Sequence, residues 1–155
     1  MTSQSPPAIG AENTFQVFDW LWSSGQPSAD DIRALPLLGV DVVINLALPT
    51  SSNALPGEAE LVAGQGMSYV QIPVLWEHPK PEQFAQFAGV LNAYAQRKVW
   101  LHCAKNMRAS AFIYLYRKLI LEETEEQSRF PMRHIWSPNA IWRAWIDSVC
   151  AAHTR

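Results

Sequence analysis

The sequence predicts an α/β fold: a mainly parallel central sheet of four to five strands with helices on both faces. Three observations predict it. The run 40–46 is apolar and rich in β-branched residues rather than alternating, as a strand covered on both faces requires, and 98–102 reads as another buried strand. Between such runs lie segments whose apolar residues recur at helical spacing. Strands and helices alternate along the chain, an order that favours parallel pairing through helical crossovers. Ligands of such sheets bind beyond the carboxyl ends of the strands.

Taken in order, residues 1–14 are polar, contain Pro6-Pro7 and read as a flexible N-terminal tail; 15–155 reads as a single domain. Trp20-Leu21-Trp22 is a short strand running into the turn Ser23-Ser24-Gly25-Gln26-Pro27. Ser28 is an N-cap, with Asp30 and Asp31 in the first turn, Ile32, Leu35 and Leu38 as the apolar face and Gly39 as the stop. The strand 40–46 follows, then a loop at 49–53 and a helix over 56–65 closed by Gly66. Residues 69–74 form the next strand and 75–80 a loop. The stretch 81–96 places Phe84, Phe87, Val90, Leu91 and Tyr94 on one helical face. The buried strand 98–102 leads to a helix over 107–122, where Phe112, Leu115, Tyr116 and Leu119 share a stripe. Arg117 and Lys118 suit that helix's C-terminal end, and Glu122 to Glu126 is a solvated acidic end. Ser137-Pro138 caps and starts the last helix, which runs to about Ala151 and buries Trp142 and Trp145.

Composition sets outer limits on function. The 155 residues are 48% hydrophobic and 17% charged, with a formal net charge of -2. This is globular composition, and it offers no general surface for nucleic acid or membrane. There are two cysteines, Cys103 and Cys150, too few for a disulfide framework. Neither a signal-peptide pattern nor a membrane-length apolar stretch is present, so the expected location is the cytoplasm, where a free thiol persists. His78, His134 and His153 have no ligand spacing with each other or with the cysteines, and neither a metal nor a cofactor is expected.

Chemistry concentrates in His102-Cys103-Ala104-Lys105-Asn106-Met107-Arg108, a strand end, a tight loop and a helix start. The first amides of a helix lack internal partners, and the helix dipole is positive there. Both effects favour a thiolate, the nucleophilic form of cysteine. The same amides can coordinate phosphate or sulfate, and the planar fork of Arg108 can grip two anion oxygens. The loop residues Ala104, Lys105, Asn106 and Met107 are therefore expected to line an oxyanion site.

On these residues the sequence resembles the cysteine-dependent phosphatases of the dual-specificity type, specifically the small bacterial phosphatase-like proteins. Ser24-Gly25-Gln26-Pro27, Leu38-Gly39-Val40 with Val43-Ile44-Asn45-Leu46, Ile72-Pro73-Val74 and His102-Cys103 occur in that family's order. The resemblance implies the phosphatase fold, a phosphocysteine formed on Cys103, phosphate binding by Arg108, and a Ser110 hydroxyl that assists departure of the thiolate. His102 would orient the cysteine through the loop backbone. The acid that protonates the leaving oxygen would come from the loop after an earlier strand, where Glu77 is the first candidate and His78 the second. The partner implied is a phosphorylated protein or a small phosphate ester.

The family places five residues between cysteine and arginine, commonly with a glycine; this chain has four, Ala104 to Met107, and no glycine. Either the loop has lost a residue, or the arginine stands one position earlier, a rotation of about 100° on a helix. Asn106 can supply the positive φ that glycine would have offered. Two alternatives follow from the spacing. Sulfurtransferases of the rhodanese type hold a persulfide in a loop of this shorter form, and a phosphatase fold without turnover would bind the oxyanion alone.

Overall fold

The computed structural model of the chain describes residues 8–154. Five strands build one sheet: β1 (Phe15–Phe18), β2 (Leu21–Ser24), β3 (Val42–Asn45), β4 (Ser68–Gln71) and β5 (Val99–His102). Their order is β1-β2-β5-β3-β4, with β1 antiparallel on one edge and the other four parallel. Every residue of β2, β3 and β5 is buried, which is why β3 and β5 read as apolar up to their last residue, while β2 extends through the buried Ser23 and Ser24 that the sequence reads as a turn.

Side chains of successive strand residues enter opposite layers, as the period of two requires. Leu21, Val42, Ile44, Val99 and Leu101 face one core. It is completed by α3 (Pro81–Ala93), α4 (Met107–Leu115) and α6 (Ala140–His153), through Phe84, Phe87, Phe112, Trp142 and Trp145. Trp22, Val43 and Trp100 face the other, against Ile32 of α1 (Ala29–Ala34) and Val62 of α2 (Glu58–Gly64). The Trp22 and Trp100 rings stack at 5.9 Å across the β2–β5 pair, and Trp100 donates its indole N–H to Ser24.

Several boundaries differ from the sequence expectation. Ser28 does cap α1, in a reciprocal capping box with Asp31, and Gly39 ends the following 3-10 turn with φ 85°. The strand expected over 69–74 ends at Gln71, because Pro73 has no N–H with which to continue the ladder. The helix from Met107 closes its α-helical part at Leu115 and continues as a π-helical turn, Tyr116–Ile120. Asn139, not Ser137, caps the last helix: its side chain accepts from the Trp142 amide, and Pro138 precedes the cap. The acidic run is exposed except for half-buried Glu123, in line with a solvated end, and it is ion-paired. It opens α5 (Glu125–Ser128), where Glu123 pairs with Arg117, Glu125 with Lys118 and Arg129, and Glu126 with Arg133.

Of the stretch 1–14 expected as a tail, residues 1–7 lie outside the described residues. Ile9 packs against the Trp22–Trp100 core, Gly10 donates to Asp31, and Glu12 accepts from the Gly25 amide. Among the described residues no helix is long and apolar enough to cross a membrane.

Candidate active site

The carboxyl end of the central strand β5 delivers His102 and Cys103 between β2 and β3, where Ser24 and Asn45 stand in register with His102. The Cys103 amide donates to the Ser24 carbonyl at 3.3 Å, the last bond of that pairing. The chain then turns through Ala104 and Lys105 to Asn106, which adopts φ 68° and precedes α4. Asparagine is among the few non-glycine residues that tolerate this left-handed conformation. Helical bonding begins at the Ser110 amide, which donates to Asn106 O at 3.0 Å. The amides of Met107, Arg108 and Ala109 therefore open the helix without helical partners.

Cys103 and Arg108 line one cavity of about 270 Å³, together with Trp76, Ala104, Lys105 and Met107. Cys103 is 1% and Arg108 7% exposed. The guanidinium donates through Nη1 to the Val74 carbonyl at 2.8 Å and lies 5.9 Å from the Trp76 ring centre. An arginine has five N–H donors, so one bond to Val74 leaves others to serve an anion in the cavity. Lys105 is exposed at the mouth and adds positive potential there. The four-residue spacing is thus compatible with a cysteine and an arginine sharing one cavity wall.

The back of the loop is braced from several elements. Gln26 N and Asn53 Nδ2 both donate to Ala104 O, at 3.1 and 3.0 Å. Asn13 Nδ2 donates to Lys105 O at 3.1 Å, and Asn106 Nδ2 donates in return to Asn13 O at 2.7 Å and to Ser23 Oγ at 3.0 Å. Gly25 lies so close that a β-carbon there would stand 2.8 Å from Ala104 O. Only glycine fits that approach.

Sequence-predicted residues fall into two groups. Cys103, Ala104, Lys105, Met107 and Arg108 are brought together around the cavity. Asn106 is not at its wall: its side chain is fully buried behind the loop, bonded to Asn13 and Ser23. Ser110 is also fully buried and away from the wall; its hydroxyl donates to Met107 O at 2.8 Å and accepts from Trp136 Nε1 at 3.1 Å. Its single proton is therefore committed to a carbonyl. Glu77 and His78 are exposed on the loop beyond the cavity, whose wall that loop supplies through Trp76 instead. The Trp76 ring packs against Trp136 and Trp142, and its carbonyl accepts from Trp142 Nε1, which anchors the loop.

Behind His102 the structure reveals a residue that sequence reasoning missed. Glu58, in the first turn of α2, is buried and meets His102 Nε2 at 2.6 Å. Its other carboxylate oxygen accepts from Gln26 Nε2 at 2.7 Å. Nearby, burial and the Glu58 charge push the Tyr69 hydroxyl up to about 12, against a hydrogen bond with Asn45 that pulls the other way. Burial likewise pushes up the Cys150 thiol, far along the chain from the loop. Among the described residues no cluster of three or more His, Cys, Asp or Glu is assembled that could hold a metal ion.

A cysteine and an arginine on one small cavity, at the junction of a central parallel strand and a helix, is an arrangement suited to a tetrahedral oxyanion. Comparison with known proteins agrees with that chemistry. A DUF442 protein of Shewanella putrefaciens CN-32, described as a candidate phosphatase, is 36% identical over 93% of this chain and 95% of its own, with a TM-score of 0.82. Two more distant structures share the fold. PTPMT1 is 13% identical, over 91% of this chain and 96% of its own, with a TM-score of 0.76. TpbA of P. aeruginosa, in complex with pTyr, is 16% identical over 99% of both chains, with a TM-score of 0.71. No curated protein sequence matches the chain. Residues 10–141 match the model of the DSP-PTPase phosphatase fused to NAD+ kinase, and with that span, from the residues before β1 to the start of α6, the chain belongs to this family of dual-specificity-type phosphatases.

Proposed function

We propose that the protein hydrolyses phosphate monoesters through a phosphocysteine on Cys103. The observation that carries the reading is the shared cavity of Cys103 and Arg108 at the start of α4. In the first step the Cys103 thiolate attacks phosphorus, the S–P bond forms, and the ester P–O bond breaks. The free donors of Arg108 and the amides of the 104–108 loop hold the three non-bridging oxygens, where negative charge spreads in the transition state. The leaving oxygen takes a proton from Glu77, the carboxyl next to the cavity wall residue Trp76. In the second step water attacks phosphorus, gives a proton back to Glu77, and releases inorganic phosphate and the thiolate. Ser110 has no step in this scheme, because its proton is held by Met107 O.

The substrate class in this reading is a phosphorylated protein or a small phosphate ester. TpbA holding phosphotyrosine in the same fold supports an aryl phosphate as the first substrate to try. The test is release of inorganic phosphate from an aryl phosphate by wild type and by Cys103→Ser. Turnover abolished in the variant supports the reading; wild type no faster than Cys103→Ser overturns it. The same preparation, given thiosulfate and cyanide, distinguishes sulfurtransfer: thiocyanate formed together with an extra sulfur mass on Cys103 would replace the hydrolase reading.

A further inference from the structure

The buried pair behind the loop takes no part in the steps above. His102 is fully buried and Glu58 is 5% exposed, with Nε2 and Oε2 2.6 Å apart. On its other side the ring offers Nδ1 to the Cys103 carbonyl at 3.2 Å. A carbonyl oxygen can only accept, so Nδ1 carries hydrogen. Nε2 then faces a carboxylate oxygen at a distance that two lone pairs cannot share. A proton must lie between them, as imidazolium with carboxylate or as imidazole with carboxylic acid. In either form the ring is held at both nitrogens, and it cannot rotate without leaving a buried polar group unpaired, a costly state.

From this we infer that Glu58 is a positioning residue for the cysteine loop. Its carboxylate fixes the His102 ring, and the ring fixes the Cys103 carbonyl on the side away from the cavity. The peptide after the nucleophile is thereby prevented from turning its oxygen toward a bound anion. Gln26 locks the same assembly from the turn after β2: its side chain donates to Glu58 Oε1 and its own amide to Ala104 O. One carboxylate thus ties α2, the β2 turn and β5 to a single loop geometry. The titratable and charged groups around the pair are Glu60 of α2 and Tyr69 of β4, which line a cavity of about 210 Å³ with Glu58, and Cys103 next to His102, with Arg108 on the same cavity wall as Cys103. Among the described residues, no side chain of these groups forms a hydrogen bond with either member of the pair; Cys103 meets His102 through its backbone carbonyl alone.

This inference deepens the phosphatase reading and rests on it for the purpose of the loop, though its test needs no turnover. Cys103 is alkylated with iodoacetamide in the presence of increasing inorganic phosphate, and modification is read by peptide mass spectrometry. Cys150, the second free thiol, reports in the same sample on the integrity of the fold. In Glu58→Gln the phosphate concentration that half-protects Cys103 should rise about tenfold, from losing a charge-assisted hydrogen bond. In the His102→Gln background, Glu58→Gln should add nothing further, because its effect passes through the ring. Gln26→Ala, a smaller change, should raise the half-protecting concentration about threefold and serves if Glu58→Gln exposes Cys150. Unchanged protection in Glu58→Gln or, where that variant exposes Cys150, in Gln26→Ala overturns the inference. So do effects of Glu58→Gln and His102→Gln that multiply. Wild type protected by phosphate but without turnover overturns the hydrolase reading alone.

Discussion

The Arg108 guanidinium reaches across from α4 to donate to the Val74 carbonyl at 2.8 Å. One fork position is thereby fixed by the chain itself, and the plane of the guanidinium is set before any anion arrives. Preorganised donors of this kind cost no rearrangement at the moment of reaction. Arg108→Lys keeps the charge but loses the plane and the simultaneous grip on Val74 and an anion. Steady-state hydrolysis of an aryl phosphate should show kcat/KM lower by about a hundredfold or more, comparable to losing an oxyanion donor. A loss below about threefold would contradict this role.

Asn106 supplies backbone shape, and its side chain supplies the brace. At φ 68° glycine is tolerated and alanine is strained, so Asn106→Ala should destabilise the protein by about 1 kcal/mol more than Asn106→Gly. Both variants lose the bonds to Asn13 and Ser23. Urea unfolding of the two variants side by side measures the difference; equal midpoints would argue against a backbone requirement at this position.

In the proposed reaction, a proton from Glu77 matters most when the leaving group is a poor one. Glu77→Gln should lower kcat for an alkyl phosphate about a hundredfold, and that for an aryl phosphate bearing an electron-withdrawing group only slightly. Equal losses on both substrates would remove Glu77 from the acid role. The same experiment on His78→Gln then tests the neighbouring residue.

Tyr69 gives the fold an alkaline limit. Its hydroxyl is pushed from 10.0 up to about 12 in the folded protein, chiefly by burial. Below 10.0 the folded and unfolded chains both hold the proton and stability does not depend on this group. Above it the unfolded chain releases the proton first, so stability falls as pH rises toward about 12. The shift corresponds to about 3 kcal/mol at most, reduced to roughly 1 kcal/mol by solvent screening of a partly exposed group. Thermal unfolding across this range should show a decline in Tm that Tyr69→Phe flattens. A decline of the same size in the variant would assign the loss to other groups.

Much of the fold and part of the site were legible in the sequence, for physical reasons that differ by element. Strands buried on both faces leave an unbroken apolar run, and Ser28 with Asp31 writes a helix start in four residues. The positive φ of Asn106 could be anticipated because few residues other than glycine accept it. Local signals failed where the determinant is distant. Nothing near Glu58 marks it as the partner of His102, 44 residues away; only the crossover from β3 to β4 brings α2 behind the loop. Residues 9–14 look like a polar tail because their anchors, Asp31, Gly25, Lys105 and Asn106, are contributed by other elements. Ser110 occupies a position that the family resemblance marks as catalytic, and its surroundings, a carbonyl of the preceding turn and an indole from 26 residues on, come from beyond the loop and left no mark near it in the sequence.

In the proposed reaction the Cys103 thiolate takes the phosphoryl group while Arg108 holds it. Rapid acid quenching during turnover of an aryl phosphate, followed by intact and peptide mass spectrometry, tests this most directly. A phosphoryl adduct on Cys103, present in wild type and missing in Cys103→Ser and Arg108→Ala, is the predicted result. Turnover that proceeds with bare Cys103, or an adduct that forms equally well in Arg108→Ala, would contradict it.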